Sequence, residues 1–173
     1  MSSVAAIGVL IGIGFALAWA IAGLQGVPSP WRALALGTAL LISLLIAGAV
    51  LWRLRSAQSV GTSGVFNGVV YGWAVSLEAA AILITVIALR KTGLTQYIMP
   101  AVAFIVGAHF FGLARAMGSA GRVFIWVGGL MCTSAAVIVV ALARSVLSPS
   151  QSMAFTGFSC ALILWASALS TVI

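Results

Sequence analysis

Acidic side chains are almost missing from this chain of 173 residues, in which a single Asp/Glu stands against eight Lys/Arg. Charge of either sign is scarce, at 5% of positions, whereas a soluble domain carries roughly 25% so that its surface can face water. That deficit excludes a soluble globular fold. The 64% hydrophobic content equally excludes a disordered chain. With Glu78 as its one carboxylate, the chain cannot supply the two acids of a glycosidase by itself. The two cysteines, Cys132 and Cys160, lie inside apolar runs without a CxxC, so they form no disulfide scaffold and read as small hydrophobes. There is no HExxH, no phosphate-cradling glycine loop and no GxSxG elbow. No lysine falls inside an apolar segment, which excludes a retinal-type Schiff base.

What is present is apolar length. A spanning helix needs about 20 mostly apolar residues. Six segments qualify, at 4–24, 33–52, 65–89, 97–116, 123–143 and 153–173. QGVPSP at 25–30, RLRSAQSVGTSG at 53–64, RKTGLTQ at 90–96, MGSAGR at 117–122 and RSVLSPSQS at 144–152 separate them with turn residues and charge. No segment alternates with a period of two, so a transmembrane barrel is disfavoured. The opening MSSVAAIGVLIGIGF lacks the basic stretch of a secretory signal and reads as a retained first helix. The expected fold is all-α: one transmembrane domain over 1–173, a bundle of six helices with short loops in a multi-pass integral membrane protein.

The formal charge of +7 does not indicate a nucleic-acid partner. Arg32, Arg53, Arg55, Arg90, Lys91, Arg115, Arg122 and Arg144 stand singly or in pairs at the edges of apolar runs, where headgroups sit, rather than clustered on one face. The expected partner is the lipid bilayer. An even number of spans places both termini on one side. Counted by side, the basic residues divide four and four, so the positive-inside rule assigns no orientation. Two readings of that balance stand: noise in a chain with few charges, or insertion in both orientations to give an antiparallel homodimer. Gly8 with Gly12, Gly68 with Gly72, and the Gly128–Gly129 pair mark places where helices can approach closely.

Glu78 lies near the centre of the third segment, where an ionised group costs at least ~2.5–3.5 kcal/mol. A partner, water or a retained proton must offset that cost. His109, the only histidine, lies in the middle of the fourth segment. Glu78 is eleven residues before the end of its segment and His109 is twelve after the start of the next. At 1.5 Å per residue both fall roughly 17 Å from the same membrane face. The sole acid and the sole imidazole are therefore expected at one level, on adjacent antiparallel helices, with Pro100 able to bend the second of them. Asn67, Tyr71, Glu78 and Thr85 share one stripe of the third helix, and such a stripe should face protein or a water-filled cavity. Trp73 lies inside the same helix and is a candidate pocket wall. Trp31, Trp52 and Trp126 fall near helix ends, as an interfacial belt requires.

An acid in lipid is favoured neutral and an adjacent imidazolium favours the ionised form, so such a pair can exchange protons and take a cation or polar substrate by turns. The leading expectation is a small transporter or channel for a small molecule or ion. Its Glu78–His109 centre would bind the proton or cation, and Asn67, Tyr71, Thr85 and Trp73 would line the path. The alternatives are an intramembrane enzyme using Glu78 and His109 as acid and base on a lipid or isoprenoid, and a non-catalytic assembly subunit. Transport rather than catalysis is expected, with no cofactor. No metal is expected either, because Glu78 and His109 alone are too few ligands unless a second subunit or Cys132 contributes. The segment GAHFFGLARAMG at 107–118 resembles a G-x-H-F-x-x-L-A pattern found in small, uncharacterised bacterial multi-helix membrane proteins. The resemblance implies that His109 is a patterned feature and that the chain resides in a bacterial cytoplasmic membrane.

Overall fold

A computed structural model describes residues 3–56 and 67–172. Among them are six α-helices and no strand: α1 (Ser3–Gly23), α2 (Ser29–Ser56), α3 (Gly68–Lys91), α4 (Ile98–Ala116), α5 (Arg122–Ala143) and α6 (Pro149–Val172). All six are long and apolar enough to cross a bilayer, which fits a multi-pass membrane protein. Residues 57–64 of the expected long polar loop, the first two residues of the expected third segment and the chain ends lie outside the described residues.

Two helices are longer than their apolar cores. α2 starts at Ser29 with Pro30 in its first turn, where the missing N–H is no loss. It runs on through Arg53 and Arg55, whose charge suits a helix C-terminus. α6 starts at Pro149 because Ser148 and Gln151 cap each other: the Gln151 N–H donates to the Ser148 hydroxyl, and the Ser148 N–H donates to the Gln151 side-chain oxygen. Pro100 is buried in the first turn of α4 and leaves that helix continuous.

α6 is the centre of the bundle. It packs on α1 and α5, and also on α4 and α2, while α3 lies at the edge and packs chiefly on α4. Buried positions step by three and four: Val9, Ile13, Ala16 and Ala20 in α1, and Ala39, Ser43, Ile46 and Val50 in α2. In α5 the series is Gly128, Met131, Ala135, Ile138 and Leu142. That spacing is the seam of helices packed at small crossing angles. Small residues alternate with larger ones along the seams, whereas Phe15, Leu44, Leu83 and Val137 point outward, the distribution expected where lipid is the solvent.

Glycine sets the closest approaches. A Cβ on Gly157 of α6 would lie 2.5 Å from the Gly23 Cα of α1, and one on Gly128 of α5 would lie 2.6 Å from the Gly107 carbonyl oxygen of α4. By contrast, a Cβ on Gly8, Gly12, Gly72 or Gly129 would meet nothing within 4 Å. Polar ties cross the bundle too. The Trp165 indole N–H of α6 donates to the buried Ser43 hydroxyl of α2 at 3.1 Å, and the Ser134 hydroxyl of α5 donates to Ser159 of α6 at 2.9 Å.

Candidate functional site

α3 presents one side to α4. Its half-buried residues are Val70, Ala74, Glu78, Ala81, Ile82, Thr85, Val86 and Leu89, and no residue of the helix is fully buried. The two helices close together where a Cβ on Gly112 would stand 3.0 Å from the Ala74 methyl. One turn along from that approach, Glu78 on α3 meets His109 on α4. The His109 Nδ1 lies 3.3 Å from the Glu78 Oε2. The depth count from the sequence and the packed structure thus place the two side chains together. The nitrogen is buried, and its approach to the oxygen is a close polar contact without the alignment of a hydrogen bond.

The pair is asymmetric. The His109 side chain retains 9% of its exposure and the Glu78 side chain 20%. The imidazole is anchored from behind: its ring meets Phe110 edge-on at 6.1 Å, and Phe110 stacks on Phe124 of α5 at 5.8 Å. Two residues before His109, Gly107 sits against Gly128, so α4 is held tightly on α5 at this level. Behind the acid there is only the outer side of α3. Its Trp73, Leu77, Leu83 and Ile84 are exposed.

The other expected site residues are dispersed. Thr85 lies two turns beyond Glu78 on the same side, half-buried. Asn67 is the N-cap of α3, its side-chain oxygen accepting from the Val70 N–H, and its own N–H donates to the Ala116 carbonyl at the end of α4. That role follows from the preference for Asn where the first helical N–H groups need acceptors. Tyr71 is 43% exposed. Trp73 is 66% exposed and lines a shallow groove with Gly68, Val69, Gly72 and Ser76 on the outer side of α3, away from the pair. Cys132 donates its thiol hydrogen to the Phe104 carbonyl at 3.5 Å. Among the described residues no three His, Cys, Asp or Glu side chains gather as metal ligands.

Comparison with protein-family models, with curated proteins and with solved structures finds no match to this chain.

Proposed function

We propose that the chain is a small multi-pass transporter or channel of a bacterial cytoplasmic membrane in which Glu78 and His109 bind a proton and a cationic or polar solute by turns. The observation that carries this reading is the 3.3 Å contact between the only acid and the only imidazole, on helices each long and apolar enough to span a bilayer. An arrangement that costly needs a return, and reversible proton exchange is one. The burial asymmetry supports a division of roles in which His109 is the fixed partner and Glu78 is the group a solute reaches. α3 is the element free to respond, since it carries no fully buried residue and packs chiefly on α4. A proton on Glu78, or a cation that takes the place of the imidazolium, removes the charge attraction across the α3–α4 seam and lets α3 shift.

The test is current in proteoliposomes on solid-supported membranes, driven by a pH step and then by a panel of alkylammonium cations. Wild-type protein should pass current, Glu78→Gln should lose at least tenfold of it, and Glu78→Asp should retain part. Equal currents from wild type and Glu78→Gln would remove the acid from the mechanism. A second reading is favoured by the position of α3 at the bundle edge, which leaves Glu78 one helix from surrounding lipid. It is acid–base chemistry on a lipid or isoprenoid. Conversion of an added polyprenyl substrate without any current would select it.

A further inference from the structure

At the end of the bundle where α3 meets α4 and α5 meets α6 there is a widely open cavity of about 550 Å³. Its polar wall is formed by Gln96 and Tyr97 from the 3₁₀ turn before α4, Ser145 and Ser148 from the α5–α6 connection, and Gln151 from the first turn of α6. Its apolar lining is Leu142, buried in the last turn of α5, with Val146 and Leu147 of the connection that follows. These residues mark the ends of three apolar spans, the depth at which phospholipid headgroups lie.

Charge at this end is of one sign. Arg144 is exposed and immediately precedes Ser145 in the cavity wall. Arg90 and Lys91 close α3 just ahead of Gln96, and Arg32 opens α2 at the same end. The one acidic side chain of the chain is Glu78, in the interior of α3, so no carboxylate side chain competes here. Arg32 is engaged locally: its Nε donates to the Val27 carbonyl at 2.8 Å. Arg144, next to Ser145 in the chain, is then the basic residue that adjoins the wall. Ser145 lines the cavity at a φ of 56°, a conformation that glycine adopts more cheaply.

The geometry points to a binding site for an anionic bilayer phospholipid. The phosphodiester sits at the rim against Arg144 and the hydroxyl and amide donors of Tyr97, Ser145 and Gln96. The glycerol backbone lies on Leu142 and Val146, with the acyl chains running down the outside of the bundle. Basic pockets between spanning helices recognise anionic headgroups in this way. The site is separate from the Glu78–His109 pair and does not rest on it.

The experiment measures affinity of the purified full chain in detergent for phosphatidylglycerol and for phosphatidylcholine, by native mass spectrometry. Thermal unfolding is followed in parallel with each lipid and with inorganic phosphate. Wild-type protein should prefer phosphatidylglycerol, and Arg144→Gln should reduce that preference about fivefold, the effect of one basic residue near an anionic surface. Arg122→Gln, at the opposite end, should leave it intact. Ser145→Gly separates ligand loss from misfolding: relief of the positive φ should raise the unfolding temperature without lipid while the preference for phosphatidylglycerol falls. Equal binding of both lipids by wild type, an equal loss in Arg122→Gln, or full stabilisation by inorganic phosphate alone would each overturn the proposal.

Discussion

Gly128 and Gly129 are adjacent in α5, and the structure predicts opposite responses to the same methyl group. A Cβ on Gly128 would lie 2.6 Å from the Gly107 carbonyl oxygen and 3.2 Å from the Phe110 Cβ, where ordinary contact begins at 3.4 Å. Neither neighbour is the end of a flexible side chain, so α4 and α5 must separate. Overpacking of this kind costs about 1–3 kcal/mol. A Cβ on Gly129 would meet nothing within 4 Å. There the ceiling is a gain of about 1 kcal/mol from helix propensity, and less in a membrane, where the helix persists in the unfolded reference state. Unfolding of Gly128→Ala and Gly129→Ala in bicelles with an SDS titration should show the first destabilised and the second equal to wild type or slightly better. Because Gly107 lies two residues from His109, Gly128→Ala should also weaken the Glu78–His109 contact. Equal stability of the two variants would refute the α4–α5 packing on which the site depends.

Ser43→Ala strips the buried Trp165 indole of its acceptor, and Trp165→Phe in that background should cost less than in wild type. The double-mutant coupling should be about 0.6 kcal/mol, the average for hydrogen bonds between membrane helices, and strictly additive losses would contradict the contact. Cys160 is buried whereas Cys132 is half-buried. A lipid-soluble maleimide should therefore add once per chain, with Cys132→Ser removing the adduct, and two adducts formed at matched rates would contradict the central position of α6.

The six helices were legible because an apolar run long enough to span a bilayer is a strong and local signal, and the basic residues all fall at its edges. The Glu78–His109 contact was legible for a different reason: a tight connection between antiparallel helices makes residue counts from the turn into depths. The ends of α2 and α6 were not read from hydrophobicity because caps and first-turn prolines set them. For α6 the signal was in plain view, a serine followed three residues later by glutamine. Spacing alone did not show which glycines carry the packing. Gly8 and Gly12 have the dimer-motif interval yet face open space, while Gly23 and Gly157 touch from opposite ends of the chain. A small residue shows that a close approach is sterically allowed, and only the partner helix decides whether it happens. The edge position of α3 was hidden for a related reason. In a chain that lipid surrounds, inner and outer helix faces are both apolar, so hydrophobicity does not distinguish a central helix from a peripheral one. That position leaves Trp73 on the outer side of α3, away from the Glu78–His109 pair.

The contact between Glu78 and His109 can be measured without any substitution, because one glutamate and one histidine are all the chain contains. Protein labelled at the glutamate side-chain carboxyl carbon and the histidine ring nitrogens contains one such carbon and one such ring for dipolar recoupling by solid-state NMR in lipid bilayers. The account predicts strong dephasing between that carbon and one ring nitrogen, as the 3.3 Å approach of Nδ1 to Oε2 requires. Absence of measurable coupling in the bilayer would contradict it.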